Sequence, residues 1–222
     1  MSTIISDVID HLAGVQPGSS LDRLRDQRPQ ARENAQKSYL ALFEPELPGH
    51  VTAIERYAVA TFVAGLHRQP NVTEFYAASL ERLGHPRLTD AIRGEIARGS
   101  VEGPYGRYPQ GGALTIEDKE GPVYQVSTDN RERLGSRLAA ALEHAHLLVF
   151  HPRDASPAAL QRLLDAGWST TDIVTLSQLV AFLSFQIRVV AGLRVLVGAS
   201  SRASVDADQT QIFTGVLASG AV

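Results

Sequence analysis

The chain has 222 residues, of which 44% are hydrophobic and 20% are charged, and its formal net charge is −3. This is the composition of an ordinary globular protein, and the slightly acidic balance argues against nucleic-acid binding, which normally needs a basic excess. Cysteine is absent. Disulfides, thiolate nucleophiles and cysteine-ligated metals are therefore excluded within this chain.

Helix signals follow one another along the first half of the sequence. Apolar residues at helical spacing predict an opening helix that ends at Gly14, and a charged helical stretch from Leu21 that is interrupted at Pro29. The segment 52–66 is nearly all apolar, which predicts a helix buried on most sides. Further helices are predicted at 72–83 and at about 88–97.

The second half gives a longer series of helix signals. A helix is predicted from about Arg131, Ser156-Pro157 is typical of a helix start, and Gly167 of a helix end. A helix that opens at 169–172 and runs to Leu193 is long and apolar enough to cross a membrane. It contains several polar side chains, so we expect a buried core helix instead. No pair of strands is recognisable, and the predicted fold class is an all-α, single-domain helical bundle.

One long irregular segment, at about 103–122, is rich in Gly and Pro and is expected to be either a subunit-contact arm or a solvated excursion. We expect three regions: N-terminal helices at 1–48, a helical core at 49–196 and a loosely packed tail at 197–222. The N-terminal residues do not have the pattern of a signal peptide. A cytoplasmic location is the expectation.

Two parts of the sequence have a distinctive order of motifs. In Leu160–Leu193 (LQRLLDAGWSTTDIVTLSQLVAFLSFQIRVVAGL), a leucine-rich helix ends at Ala-Gly, a Ser/Thr-Asp cap follows, and a long helix carries Phe182, Phe185 and Arg188. In Ile54–Gly84, a Glu-Arg pair, an apolar helix, a short break and the phrase Leu-Glu-Arg-Leu-Gly follow one another. In both parts the order of motifs resembles that of the alkylhydroperoxidase D-like, or carboxymuconolactone decarboxylase, superfamily. The resemblance implies a bacterial-type protein with this helical fold.

The active-site residues of the family are mostly replaced here. Its Cys-x-x-Cys pair would fall on Gln69 and Val72, and its histidine on Tyr76, while Glu55 matches its proton-relaying glutamate. Because a thiolate must attack the peroxide oxygen, thiol peroxidase activity is predicted to be absent. The lactone-decarboxylase branch works without the cysteines but also has a histidine where this chain has Tyr76.

Five residues are candidates for a site, and each has a structural alternative. Glu55, Tyr76 and His67 are the catalytic candidates. Glu55 also completes a capping box with Thr52, Tyr76 could fill core volume, and His67 could interact with the last carbonyls of its helix. Arg188 and Gln69 are the substrate-binding candidates. Arg188, if buried, needs a partner, which could be Glu55 or a ligand carboxylate.

His144, His146 and His151 suggest a metal site at first sight. Residues two apart point to nearly opposite sides of a helix, so His144 and His146 do not suit a shared metal. We expect no metal and no cofactor.

The function predicted from these observations is that of a small-molecule-binding or assembly protein that has lost the thiol peroxidase centre. The alternative is a non-thiol enzyme with lactone decarboxylase-like or isomerase-like acid/base chemistry at Glu55. Expected partners are a second copy of the chain, a cysteine-containing homologue, or a small carboxylated or lactone ligand. Nucleic acid and membranes are not expected partners.

Overall fold

The computed structural model describes the backbone of residues 5–218 and the side chains of residues 5–199. The described part forms nine α-helices: α1 Val8–Ala13, α2 Ser20–Asp26, α3 Pro29–Phe43, α4 Ala53–Leu66, α5 Pro70–Arg82, α6 Pro86–Gly99, α7 Thr128–Phe150, α8 Pro157–Asp165 and α9 Thr170–Ala218. Short 3-10 helices lie at Ala113–Glu117 and Pro152–Asp154. Residues 5–218 contain no strand, and one isolated bridge joins Gly106 to Lys119. The all-α prediction is confirmed.

The chain divides into two compact units. Lys37–Ile187 form the larger unit, which contains α4 to α8 and parts of α3 and α9, and the smaller unit is made of the chain on either side of it. The predicted boundaries after residues 48 and 196 stay predictions. In the smaller unit, Asp7 receives hydrogen bonds from Arg25 at 3.0 Å and from Arg32 at 3.1 Å. These contacts join α2 and α3 to the N-cap of α1.

The helix ends follow the local sequence signals. Gly14 ends α1 with a φ of +74°, in the left-handed region that favours glycine. Ser156 caps α8 just before Pro157. Ser169 and Asp172 cap α9 reciprocally, each accepting from the other's backbone N–H at 3.2 Å. These caps were predicted from the sequence and are confirmed.

Helix α9 differs from its prediction in length and burial. It continues to Ala218 rather than ending near Leu193. The part Thr170–Ala199 is long and apolar enough to cross a membrane, but core helices of globular proteins often have the same length and composition. The expected buried core helix is confirmed for one face only, because Leu183 is fully buried whereas Val174 is 52% exposed and Phe185 is 48% exposed. The predicted loose packing of 197–222 stays a prediction, and residues 219–222 lie outside the described residues.

Helix α4 is the centre of the larger unit and packs against α5, α6 and α7. Phe62 and Val63 are fully buried, as the nearly all-apolar sequence predicted. At Gly65 the approach of α6 is so close that a Cβ atom there would lie 2.5 Å from Cδ1 of Ile96. A glycine at this position is therefore a packing requirement.

The segment 103–122 returns to the end of α7. The backbone N–H of Tyr105 donates to the carbonyl of Phe150 at 2.6 Å, and the Tyr105 ring lies 4.9 Å from the ring of His151. Tyr105 is buried, whereas residues 109–120 are exposed. The other end is held as well, since the carbonyl of Pro122 accepts from His151 at 3.1 Å. Both ends of the segment therefore lie against the end of α7, and a role as a subunit-contact arm stays a prediction.

Arg56 fixes the connection between α3 and α4. Its guanidinium is buried and donates to three carbonyls, those of Leu42 at 2.7 Å, Pro48 at 2.9 Å and Val51 at 3.0 Å. Burial lowers the pKa of Arg56. Because three carbonyls accept from one buried side chain, this contact organises the whole 42–51 segment.

We predict that Arg56→Lys lowers the free energy of unfolding by about 2 to 3 kcal/mol, because an ammonium group cannot reproduce the guanidinium fork. Urea unfolding followed by circular dichroism measures this. Arg28→Lys, at an exposed arginine, is the control and is expected to change stability by less than about 0.5 kcal/mol. Equal effects of the two variants would contradict the assignment.

Candidate functional site

Tyr76, which the sequence resemblance placed at a histidine position, is fully buried. The ring of Tyr76 stacks on Phe43 at a centroid distance of 4.9 Å, and its hydroxyl donates to Oε1 of Gln186 at 2.6 Å. Burial raises the pKa of Tyr76 well above its usual value. The Nε2 group of Gln186 is also buried and has no acceptor among the described residues. These contacts fit the core-filling alternative for Tyr76, and its catalytic role stays a prediction.

The structure confirms that Glu55 caps the start of α4. Its Oε2 accepts from the backbone N–H of Thr52 at 2.8 Å and from the Thr52 hydroxyl at 3.0 Å, which completes the capping box. Its Oε1 accepts from Nε of Arg137 at 2.7 Å. Both carboxylate oxygens are therefore engaged, and the arginine that pairs with Glu55 is Arg137, where the sequence had suggested Arg188.

The other candidates have separate surroundings. Nε2 of His67 lies 3.4 Å from the hydroxyl of Ser184. Gln69 precedes α5, and its side chain makes no cap hydrogen bond to that helix. Arg188 is exposed, so the condition under which it would need a buried partner is not met. The structure gives Glu55 and Tyr76 different partners, and the roles of His67, Gln69 and Arg188 as site residues stay predictions.

A cavity of about 360 Å³ lies beside the second half of α7, and we call it the histidine pocket. Three histidines line it: His144, His146 and His151. The segment 123–125 and α8 form the facing walls, and most of the lining surface is apolar. The described residues contain no group of three or more side chains arranged as a metal site.

Two of these histidines are held by the protein itself. His146 stacks on Tyr124 at 4.6 Å and donates from Nε2 to the carbonyl of Gly99 at 3.0 Å. Burial lowers the pKa of His146 to about 4, so the ring is neutral at pH 7. His151 lies 3.0 Å from the carboxylate of Asp154 and donates to the carbonyl of Pro122 at 3.1 Å. Both rings therefore serve mainly to shape the pocket.

Glu95, a fully buried carboxylate on α6, holds one wall of the pocket in place. It accepts from the hydroxyls of Tyr124 at 2.7 Å and Ser127 at 2.6 Å, and from the side-chain amide of Asn130 at 2.8 Å. Burial alone would raise the pKa of Glu95, but the hydrogen bonds outweigh it and the pKa is lowered. Glu95 thus stays ionised and fixes the entry of the chain into α7.

His144 and Arg162 remain available for a ligand. His144 is 6% exposed, and its pKa is lowered first by burial and then by the positive charge of Arg162. The neutral imidazole offers one N–H donor and one lone pair. Within residues 5–199, neither His144 nor Arg162 has a side-chain hydrogen bond or ion pair. A neutral donor–acceptor and an unpaired cation therefore border one small, mostly apolar pocket.

Sequence reasoning missed this site. His144 was considered only as a metal ligand, and Arg162 was not considered. The available signal was a buried position for a histidine on the apolar stripe of α7, but the partner on α8 follows only from the way the two helices pack.

We predict that His146 makes stability depend on pH between 6.5 and about 4. Above pH 6.5 both states hold a neutral ring, and the contribution of His146 to stability is fully present. Below it only the unfolded state takes up the proton, so stability falls by about 2 to 4 kcal/mol before the pH reaches the folded-state pKa.

Unfolding free energies of His146→Gln and His146→Phe between pH 7.5 and pH 4 test this. The first variant keeps a donor to the carbonyl of Gly99, and the second keeps an aromatic ring against Tyr124. In both variants we expect the fall of the unfolding free energy between pH 6.5 and pH 4 to lose the part that His146 causes. An unchanged slope in both variants would show that other groups cause it.

The comparisons with known proteins agree on the fold and give no family. No family model matches the sequence, and no curated protein matches it. The crystal structure of an uncharacterized peroxidase-related protein from Silicibacter sp. TM1040 matches with 15% sequence identity and a TM-score of 0.53, over 74% of this chain and 68% of that chain. The chain therefore shares the all-α fold of that structure, in a sequence without cysteine.

Proposed function

We propose that this chain is a small-molecule-binding protein that uses an alkylhydroperoxidase D-like fold without the thiol peroxidase centre. The ligand is a compact apolar molecule with one carboxylate, and it binds in the histidine pocket. The observation that carries the proposal is that one cavity is lined by both the neutral, buried imidazole of His144 and the unpaired guanidinium of Arg162.

The dimensions and walls of the pocket support a small ligand. Its volume of about 360 Å³ is at the lower end of the range for small-molecule sites, roughly 300 to 1,000 Å³. Ala140, Leu147, Ala159 and Leu163 supply apolar surface. An apolar body packs on these side chains while its charged group is directed to Arg162.

The chemistry of His144 and Arg162 suits a carboxylate. A guanidinium binds a carboxylate through two parallel N–H donors, and such charge-assisted hydrogen bonds are stronger than neutral ones. The neutral ring of His144 adds one donor. An uncharged amide of the same shape loses the ionic part of this recognition.

The contacts of Glu55 favour binding over acid/base chemistry at that residue. Both of its carboxylate oxygens already accept hydrogen bonds, from Thr52 and from Arg137. In the histidine pocket, by contrast, the side chains of His144 and Arg162 are not engaged by other described residues.

We predict saturable binding of benzoate or hexanoate, and weaker binding of the matching amides. Arg162→Gln is expected to weaken carboxylate binding about 10- to 100-fold, as the loss of a hydrogen bond to a charged group would. Isothermal titration calorimetry with the full chain measures both effects.

Arg107→Gln is the control, because Arg107 is an exposed arginine on the 103–122 segment that pairs with Glu120. It is expected to bind the carboxylates as tightly as the unchanged protein does. The proposal fails if the amides bind equally well, if Arg162→Gln has no effect, or if no carboxylate saturates the protein at millimolar concentration.

A further inference from the structure

We infer a second binding site, for organic phosphates, in an open cleft of about 1140 Å³ where the start of α4, the turn before α6 and α7 meet. We call it the arginine cleft, because Arg87, Arg133 and Arg137 line it together with His50 and His85. It shares no lining residue with the histidine pocket. The inference therefore goes beyond the proposed function.

The acidic residues of the cleft are already paired. Glu55 lies 2.7 Å from Nε of Arg137, and Asp90 lies 3.8 Å from a guanidinium nitrogen of Arg93. Arg137 in addition contacts Asp172 at 3.3 Å. Each acidic lining residue thus already contacts an arginine, which leaves the positive charges of Arg87 and Arg133 without an acidic partner among the described residues.

Arg87 and Arg133 supply that remaining charge. Both are exposed, and neither has a side-chain hydrogen bond or an ion pair in the side chains described for residues 5–199. The whole chain is slightly acidic, with a formal net charge of −3. The lining of the cleft has three arginines against two acidic residues, a formal net charge of +1 with neutral histidines, and the two exposed guanidinium groups of Arg87 and Arg133 attract anions at short range.

The base of the cleft is apolar. Leu134 and Leu138 are buried there, and Ile54 and Leu88 are half-buried. A cationic rim above an apolar base suits an organic anion better than a free inorganic ion. Guanidinium groups match the geometry of phosphate oxygens, and two of them together match a dianion.

The site therefore takes a phosphate monoester whose phosphate lies between Arg87 and Arg133 and whose apolar body packs on Leu134 and Leu138. The probes are phenyl phosphate, inorganic phosphate and phenol, titrated into the full chain by calorimetry at one fixed ionic strength. Phenyl phosphate is expected to bind more tightly than either inorganic phosphate or phenol. Inorganic phosphate lacks the apolar ring, and phenol lacks the phosphate.

Arg87→Ser and Arg133→Ser are each expected to weaken phenyl phosphate binding about tenfold, and the double variant is expected to abolish it. Because both side chains are exposed, the variants are expected to keep the far-ultraviolet circular dichroism and the Tm of the unchanged protein. Arg107→Ser, at an exposed arginine outside the cleft, is the matched control and is expected to keep full binding.

Three results would overturn the inference. An equal loss in Arg107→Ser would show a general charge effect, and inorganic phosphate binding as tightly as phenyl phosphate would remove the role of the apolar base. Loss of phenyl phosphate binding in Arg162→Gln, with Arg87→Ser unaffected, would place the ligand in the histidine pocket. Benzoate tests the histidine pocket separately. We expect the Arg87→Ser, Arg133→Ser double variant to bind benzoate as tightly as the unchanged protein, which distinguishes a failure of the arginine cleft from a failure of the histidine pocket.

Discussion

Arg137 lies where the first turns of α4 and α9 meet α7, and the arrangement of these helices depends on it. Its guanidinium contacts the capping carboxylates of both helices, Glu55 at 2.7 Å and Asp172 at 3.3 Å. It also lies 4.1 Å from the centre of the Trp168 ring, whose N–H donates to the backbone carbonyl of Arg137 at 2.9 Å. One cation thus stabilises two helix starts. The same guanidinium lines the arginine cleft and contacts the Trp168 ring.

Most helix starts and stops could be predicted because they depend on residues a few positions apart. Gly14, Ser156 and the pair Ser169–Asp172 act through their own turn of chain, so the signal is complete in the sequence. The burial of α4 was predictable for a related reason, since a helix without a polar face must be covered on most sides. The length of α9 was not, because apolar content faded after Arg194 while the helix continued.

The sites could not be predicted to the same extent because they depend on contacts between distant segments. The sequence suggested Arg188 as the partner of Glu55, whereas the structure pairs Glu55 with Arg137, 82 positions away. His144 and Arg162 come together only through the packing of α7 against α8. The resemblance directed attention to Tyr76, where the structure has a stacked, fully buried ring. Spacing rules describe one helix at a time, and both sites lie between helices.

The contact between Gly65 and Ile96 has a consequence for the evolution of this protein. A Cβ atom at position 65 would collide with the side chain of Ile96, so a relative with alanine there needs a shifted Ile96 side chain, a smaller residue at position 96 or a wider gap between α4 and α6. The two positions are therefore expected to change together across species. Since no family model matches this sequence, such a coupled pair is a means of recognising distant relatives whose overall identity is too low to reveal them.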